Sequence, residues 1–342
     1  MRFGLALPHY DTSFAGERAS WGSVRRVAEV AESSGFDSVW VSDHFFLDWG
    51  KYGGPYDVQG SLECWTTLSA LAASTQRVRL GSLTLCNDFR NPALVAKMAA
   101  TLDNLSGGRL DIGLGAGWYE AEYRAADIPF HRPGVRIDRL RESVEIIARM
   151  LAGEKVTFSG KHYSTDGAIC RPGPVQDPRP PIWIGGKGDR LLATVAAVAD
   201  GWNMSWLGDM DVYEDRLAVA NRACEKQGRD PGTLRRSVGV YLLAGSDDGD
   251  ARRRFERLIA RTPPGVLQRS TGGPAVSWDE IKQGRFAGTI GEVTDKLGRL
   301  SELGVEEVIV SLGVVPFQVA DLEEVEFVGT EVAKHFRSEV MR

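Results

Sequence analysis

Short apolar runs alternate with longer segments of helical period along the whole of this 342-residue chain. Most runs are almost uninterrupted apolar sequence, for example Val39-Trp40-Val41 and Val308-Ile309-Val310, as is typical of parallel strands covered on both faces. The alternation therefore predicts an α/β fold built around a parallel sheet. Eight strands are predicted, over residues 3–7, 37–42, 79–85, 110–115, 181–185, 201–204, 237–244 and 306–312.

Two segments far apart in the chain share one pattern. Residues 32–42 and 301–311 each contain a helix end, a glycine, an acidic residue and a buried strand that closes on serine. The glycines, Gly35 and Gly304, suit the left-handed residue that ends a helix before a strand. An early and a late copy of one helix–strand unit, together with the strand count, favour a closed (β/α)8 TIM barrel over a doubly wound open sheet. We therefore expect residues 1–342 to form a single domain.

Two irregular segments interrupt this regular alternation. Residues 154–180 are predicted to be an insertion after the fourth barrel helix, and residues 262–288 an insertion after the seventh strand, because both are rich in glycine and proline. Irregular segments of this length in a compact domain are usually functional or mobile. We expect both to be insertion loops near the barrel mouth, where they act as walls or as a lid.

The composition excludes several classes of function. The formal net charge is −5 and the basic residues are scattered, so nucleic acid is not an expected partner. No apolar run reaches membrane-spanning length, and the first residues do not form a targeting segment. The four cysteines form no CxxC pair, which fits reduced thiols in the cytoplasm, and no residues with metal-ligand spacing stand out. We expect a cytoplasmic protein without membrane contact or metal.

In a parallel barrel, the residues that follow each strand meet at one mouth. In this chain they include two of the five histidines, several glycines and two tryptophans. Glycines permit close approach of the backbone and indoles form walls, so the set suits a flat aromatic cofactor that carries a phosphate. The residues are Pro8-His9, Asp43-His44, Cys86-Asn87, Gly115 to Trp118, Gly185 to Gly188, Asn203 to Trp206 and Ser311 to Gly313.

A glycine-rich turn, Gly185-Gly186-Lys187-Gly188, follows an apolar strand and opens a helical run. Such a turn presents free backbone N–H groups and the positive end of the helix dipole, which together bind anions. An ordinary strand-to-helix turn is the alternative. The spacing matches neither the P-loop nor the dinucleotide fingerprint, so a Rossmann fold is not indicated.

An acid and an imidazole, Asp43-His44, follow the second predicted strand. An imidazole at a barrel mouth suits general acid–base catalysis at neutral pH. Adjacent residues of a strand point in opposite directions, so we expect the two side chains to have different roles. The alternative is structural: Asp43 accepts backbone hydrogen bonds and His44 fills space.

Five blocks of sequence resemble the bacterial-luciferase-like superfamily of flavin monooxygenases and coenzyme F420-dependent oxidoreductases. The blocks span nearly the whole chain, and the third and fourth are specific. They are FGLALP, SGFDSVWVSDHF, RVRLGSLTLCNDFRNPALVAKMAATLDNLSGGRLDIGLGAGWYEAEY, PPIWIGGKGDRLLATVAAVADGWN and GTIGEVTDKLGRLSELGVEEVIVSL.

The resemblance implies a TIM barrel whose mouth holds a flavin or deazaflavin, with the ring against the third strand. It implies that Asp43 contacts the cofactor and that His44 is the acid–base group beside the substrate. A non-proline cis peptide of the family falls at Leu83-Thr84, which makes these two residues cofactor-binding candidates. Gly185, Gly186, Lys187 and Gly188 match the phosphate loop. The SDHF pattern favours coenzyme F420, with FMN as the alternative cofactor.

The sequence also departs from part of this superfamily. Trp118 stands where relatives that oxidise glucose 6-phosphate have a glutamate, and the basic residues that bind the sugar phosphate have no counterpart here. The resemblance therefore argues against that substrate. We expect the substrate pocket to include His9, Trp49, Trp118 and Trp206.

The implied activity is hydride transfer between C5 of the deazaflavin and a small organic substrate, by oxidation of an alcohol or reduction of an activated C=C, C=O or C=N bond. His44 moves the coupled proton. One alternative is an FMN-dependent monooxygenase that uses O₂, and another is a cofactor-binding protein without catalysis. The expected partner is a small-molecule substrate, and relatives are often homodimers.

Overall fold

The computed structural model describes residues 1–48, 50, 58–263, 266 and 277–337. Within these residues, eight parallel strands form a closed barrel, because each pairs with the next along the chain and the eighth pairs with the first. The predicted TIM barrel and its eight strands are therefore confirmed, with small shifts at the strand ends. The strands are β1 (Arg2–Ala6), β2 (Ser38–Val41), β3 (Arg79–Ser82), β4 (Leu110–Gly115), β5 (Ile182–Gly185), β6 (Gly201–Leu207), β7 (Arg235–Gly245) and β8 (Glu307–Ser311).

Helices connect the strands and cover the outside of the barrel. They are α1 (Trp21–Ser34), α2 (Cys64–Ser74), α3 (Pro92–Ser106), α4 (Glu120–Ala125), α5 (Pro133–Leu151), α6 (Asp189–Val198), α7 (Met210–Lys226), α8 (Asp248–Ala260), α9 (Trp278–Gly284), α10 (Ile290–Glu302) and α11 (Leu322–Phe327). The two glycines predicted to end helices adopt left-handed conformations, with φ of +94° at Gly35 and +79° at Gly304. None of the described helices is both long and apolar enough to span a bilayer.

Helix α3 buries its apolar residues along only one edge. Val95 and Leu102 pack in the core, whereas Leu94 and Leu105 are 52% and 59% exposed. At 100° per residue, Leu94 and Leu105 lie about 60–100° around the helix from Val95 and Leu102. The barrel therefore covers one edge of the apolar face of α3 and leaves the other exposed.

Regular structure extends into both segments that the sequence indicates as irregular. Residues 154–180 contain an antiparallel hairpin of Val156–Ser159 with Ser164–Ala168. Helix α9 and a strand over Phe286–Thr289, which pairs with the end of β7, occupy the last part of residues 262–288. A capping box at Ser277 begins α9. Residues 264–265 and 267–276 of that segment lie outside the described residues.

Indole side chains fill the interior of the barrel. Trp40 and Trp183 are almost fully buried. A Cβ atom at Gly81 would lie 2.2 Å from the Trp40 ring, and one at Gly201 would lie 2.1 Å from the Trp183 ring. The barrel strands therefore need glycine beside each indole, because a larger residue would displace the ring. Both indoles belong to a buried cluster that includes Leu83 and forms the floor of the mouth.

Candidate active site

A cavity of about 490 Å³ lies at the carboxyl ends of the barrel strands. Its lining comes from the last residues of β4, β5 and β6 and from the segments that follow β1 to β5 and β8, as the convergence argument predicts for a barrel mouth. All residues of the 154–180 segment are described, and none of them borders this cavity. The predicted site residues that do border it are Asp43, His44, Leu83, Thr84, Trp118, Gly185, Gly186, Gly188 and Trp206.

Three other predicted site residues have different positions. His9 is fully buried and does not border the cavity among the described residues; it lies behind Tyr10 and Ser42, which do. Lys187 is exposed, and the cavity lining includes its glycine neighbours but not Lys187 itself. Trp49 lies outside the described residues.

The imidazole of His44 is held by a carboxylate from a different part of the chain. Its Nδ1 atom lies 2.7 Å from Oε2 of Glu122, which α4 places at the exit of β4. The Glu122 side chain is 2% exposed and that of His44 is 16% exposed. A carboxylate oxygen accepts, so Nδ1 donates in this bond. No described residue hydrogen bonds to Nε2, the second nitrogen of a ring that borders the cavity.

The carboxylate of Asp43 joins the exit of β2 to the segment after β3. Its two oxygens accept hydrogen bonds of 2.6 and 3.0 Å from the guanidinium of Arg90, and the backbone N–H of Cys86 donates to it at 2.9 Å. Burial raises the pKa of Asp43, and the paired Arg90 opposes that rise. Asp43 therefore stabilises the wall of the cavity while it also borders the cavity itself.

Thr84 is packed between glycines of two strands. The peptide bond between Leu83 and Thr84 is cis, at the position that the family resemblance implies. A Cβ atom at Gly115 would lie 2.4 Å from Oγ1 of Thr84, and one at Gly185 would lie 2.7 Å from its Cγ2. These glycines at the ends of β4 and β5 therefore provide the space that Thr84 needs at the cavity wall.

The end of the cavity near the glycine turn has a buried cation. Gly185, Gly186 and Gly188 border the cavity directly before α6, and Arg136 of α5 borders it too. One N–H group of Arg136 donates to a backbone carbonyl, while its Nε is buried without a hydrogen-bond partner among the described residues. The guanidinium is permanently charged, so Arg136 brings a positive charge to the wall of the cavity. The guanidinium and the backbone N–H groups of the turn fit a phosphate.

The sequence model of the family described as luciferase-like monooxygenase matches residues 1–307 of this chain. The chain belongs to that family. A 5,10-methylenetetrahydromethanopterin reductase from Methanolobus tindarius is 30% identical over 288 residues, which cover 80% of this chain and 80% of the relative.

Two further relatives of this luciferase-like protein use different cofactors according to their names. An F420-dependent glucose-6-phosphate dehydrogenase from Kineococcus radiotolerans is 33% identical over 69% of this chain and 68% of its own. An FMNH(2)-dependent dimethylsulfone monooxygenase from Pseudomonas putida is 24% identical over 92% of this chain and 88% of its own. The family thus includes both cofactor types.

Solved structures agree on the fold of the luciferase-like chain. The coenzyme F420-dependent tetrahydromethanopterin reductase from Methanopyrus kandleri superposes with a TM-score of 0.76 at 23% identity, covering 98% of this chain and 99% of the other. An F420-dependent secondary alcohol dehydrogenase, in complex with an F420-acetone adduct, gives a TM-score of 0.75 at 21% identity, covering 98% and 99%. At these identities the likeness supports the barrel fold alone.

Aromatic side chains surround His44 in this luciferase-like protein. The Trp118 ring lies 5.3 Å from the imidazole, and the Tyr119 ring lies 6.4 Å from it, both at steep angles. Trp206 packs against Phe317 on another part of the lining. The imidazole therefore has aromatic neighbours in Trp118 and Tyr119.

Sequence reasoning missed two charged residues of the site. Glu122 lies seven residues after the end of β4, and Arg136 lies on the next long helix. A signal for Glu122 was present, because it follows the glycine-rich exit of a predicted strand. Arg136 gives no such signal, since it is one of several arginines on α5 and only the fold turns it towards the cavity.

Proposed function

We propose that this luciferase-like protein is a coenzyme F420-dependent oxidoreductase, which transfers a hydride between C5 of the deazaflavin and a small organic substrate. The observation that carries the proposal is one cavity lined by two chemically different sets of residues. One set is the glycine turn and Arg136, which fit a phosphate, and the other is His44 with the aromatic rings near it. Relatives named as F420-dependent enzymes support the choice of cofactor.

The residues present fit such a cofactor. Gly185 to Gly188 and Arg136 would hold the phosphate, and Leu83-Thr84 would support the ring, with Asp43 beside it. When bound, the deazaflavin supplies hydride transfer, a reaction for which amino-acid side chains have no equivalent. The protein contributes binding, orientation and proton transfer.

His44 is the proton-transfer residue of this proposal. In the oxidative direction, Nε2 accepts the hydroxyl proton of an alcohol as its C–H hydride leaves. In the reductive direction, Nε2 donates a proton to the atom that becomes an alcohol or amine, or to the carbon of an activated alkene. Trp118, Tyr119 and Trp206 give the cavity an apolar, aromatic wall against which a small organic substrate would pack.

An FMN-dependent monooxygenase is the second candidate. The relative named as an FMNH(2)-dependent dimethylsulfone monooxygenase aligns over 92% of this chain. A phosphate-binding turn and a flat ring site serve FMN as well as F420. His44 would then act beside a reduced flavin and O₂.

Binding and turnover measurements separate the two candidates. Titration of the cofactor-free protein with F420 and with FMN is expected to show tight binding of F420 only. F420H₂ mixed with alcohols, enones and imines, and oxidised F420 mixed with alcohols, are then followed by deazaflavin absorbance. A substrate-dependent change supports the proposal. Tight binding of FMN alone contradicts it, and F420 binding without turnover of any substrate indicates a cofactor-binding protein.

A further inference from the structure

Glu122 has a buried carboxylate that accepts hydrogen bonds from three consecutive residues, His44, Phe45 and Phe46. Oε2 accepts from Nδ1 of His44 at 2.7 Å. Oε1 accepts from the backbone N–H of Phe45 and, at 3.3 Å, from that of Phe46. The residue is 1% exposed, so water does not compete for these bonds. Three donors from consecutive residues therefore fix the carboxylate relative to the His44 backbone and ring together.

These contacts determine which nitrogen of His44 carries the proton. Backbone N–H groups can only donate, so Oε1 is an acceptor, and the carboxylate offers His44 an acceptor at Oε2 as well. Nδ1 must then carry a hydrogen in every protonation state of the ring that keeps this bond. Nε2 is left with a lone pair in the neutral ring and with a hydrogen in the charged ring. The proton that exchanges with a ligand is therefore the one at Nε2.

We propose that Glu122 is the positioning residue that holds His44 with Nδ1 protonated and Nε2 available for proton transfer to and from the substrate. The catalytic consequence rests on the proposed function, but the assignment of the ring proton does not. In alcohol oxidation, the O–H bond breaks and its proton goes to Nε2, while the C–H electron pair leaves as hydride to the oxidised deazaflavin. In the reverse reaction, Nε2 returns the proton to the oxygen and the hydride returns to the carbon. Glu122 touches neither reactant and acts only through His44.

A purely structural role for Glu122 is the competing explanation. In that case the carboxylate ties the chain after β2 to α4, and the orientation of the imidazole is incidental. Both explanations predict that loss of Glu122 destabilises the protein. They differ in whether turnover depends on the ring proton of His44, so the test must measure both that proton and kcat.

The variant Glu122→Gln distinguishes the two explanations. Its carboxamide oxygen can still accept from the Phe45 and Phe46 N–H groups, and its NH₂ group then faces Nδ1 of His44. Because that group donates, Nδ1 becomes the acceptor and the hydrogen moves to Nε2. Glu120→Gln is the matched control, since Glu120 lies on the same helix, is exposed and pairs with Arg124.

The ring proton can be read without any cofactor or substrate. The protein is labelled with ¹⁵N-histidine, its five histidines are resolved by long-range ¹H–¹⁵N correlation, and His44→Ala assigns the His44 signals. We expect the wild-type protein and Glu120→Gln to have the Nδ1–H form of neutral His44, and Glu122→Gln to have the Nε2–H form. An Nε2–H form in the wild-type protein overturns the proposal even if Glu122→Gln does not fold. So does a Glu122→Gln spectrum that keeps the Nδ1–H form.

Turnover then tests the catalytic consequence. Inversion of the tautomer places a donor where an acceptor is needed, so we expect kcat of alcohol oxidation in Glu122→Gln to fall by roughly 10²–10⁴-fold, with a small change in KM and an altered pH profile. An inverted tautomer with unchanged kcat overturns the positioning role and leaves the proposed function intact. If the wild-type protein turns over no F420 substrate, the proposed function fails, while the tautomer result still decides the assignment of the ring proton.

Discussion

Two histidines, His9 and His44, follow neighbouring strands of the barrel. They differ in burial and in the partner of Nε2, but Nδ1 has the same role in both. His9 after β1 is fully buried and bonded at both nitrogens, with Nδ1 2.8 Å from the carbonyl oxygen of Leu7 and Nε2 2.9 Å from Oγ of Ser42. His44 after β2 borders the cavity and is bonded at Nδ1 alone among the described residues. In both rings Nδ1 donates to an oxygen that can only accept.

The difference lies in what meets the second nitrogen. The Nε2 atom of His9 meets the hydroxyl of Ser42, so both ring nitrogens are hydrogen bonded to the protein. Burial lowers the pKa of His9 to about 4, because a charged imidazole there loses its hydration, and the nearby His44 lowers it further. For His44 the second nitrogen faces a cavity. The same residue type at equivalent positions of the barrel is thus a structural element in one place and the candidate acid–base group in the other.

The largest expected effect is on turnover in His44→Ala. We expect kcat to fall by roughly 10²–10⁴-fold, the usual contribution of a general acid–base group, while F420 still binds. The measurement is deazaflavin absorbance with a substrate found in the panel. His335→Ala is the matched control, because His335 is exposed and lies in the last helical turn. Unchanged turnover in His44→Ala would exclude the acid–base role. His44 would then not differ from His9 in function.

The next largest effect is on stability in His9→Ala. This change removes a buried ring, leaves the Leu7 carbonyl and the Ser42 hydroxyl without their partner, and opens a cavity between Tyr10 and Phe317. We expect the free energy of unfolding to fall by about 3–5 kcal/mol, as for other buried aromatic side chains truncated to alanine. Denaturant unfolding measures it, with His335→Ala expected to change stability by less than about 0.5 kcal/mol. A loss below about 1 kcal/mol for His9→Ala contradicts the structural role.

The comparison also shows what the sequence can and cannot predict. Strand exits can be predicted because apolar runs end abruptly, and Asp43, His44 and the three glycines of the turn border the cavity. Whether a residue at an exit faces the cavity or the layer behind it depends on the local turn, and the sequence pattern of Pro8-His9 does not encode that turn. The sequence therefore predicts His9 in the pocket, whereas the fold places it one layer deeper.

Hydrogen-bond partners that lie far apart in the chain are also not predicted by the sequence. Glu122 reaches His44 across 78 positions, and Arg90 reaches Asp43 across 47. Neither spacing is a recognisable motif, because the contacts depend on barrel closure. The fold, by contrast, follows from local signals repeated eight times, and errors at single strand ends do not change it.

A smaller effect is expected from pH on the stability contributed by His9. Between pH 6.5 and about 4 the unfolded chain binds a proton at His9 that the folded chain does not. The free energy of unfolding therefore falls as pH falls through this window, by up to about 3 kcal/mol for this group. Denaturant unfolding of the wild-type protein and of His9→Gln, which cannot titrate, isolates this contribution. Parallel pH dependences of the two proteins would show that His9 is not kept neutral by burial.

The smallest effect is expected from Ser42→Ala. The hydroxyl of Ser42 meets both Nε2 of His9 and the hydroxyl of Tyr10. Because neutral His9 accepts at Nε2, Ser42 donates to it and accepts from Tyr10, which gives the chain of bonds one direction from Tyr10 to the Leu7 carbonyl. Loss of the hydroxyl leaves a buried nitrogen without a donor, so we expect a loss of about 1–2 kcal/mol in the free energy of unfolding.

A double-mutant cycle of Ser42→Ala with His9→Gln tests whether the loss in the free energy of unfolding comes from the Ser42–His9 hydrogen bond. The two changes are expected to couple by about 1 kcal/mol, because they remove opposite ends of one hydrogen bond. The cycle of Ser42→Ala with Glu122→Gln is expected to show no coupling in stability, since their hydrogen bonds share no partner. Equal coupling in both cycles would mean that the two histidines belong to one network, and the distinction between a structural and a functional histidine would then have to be abandoned.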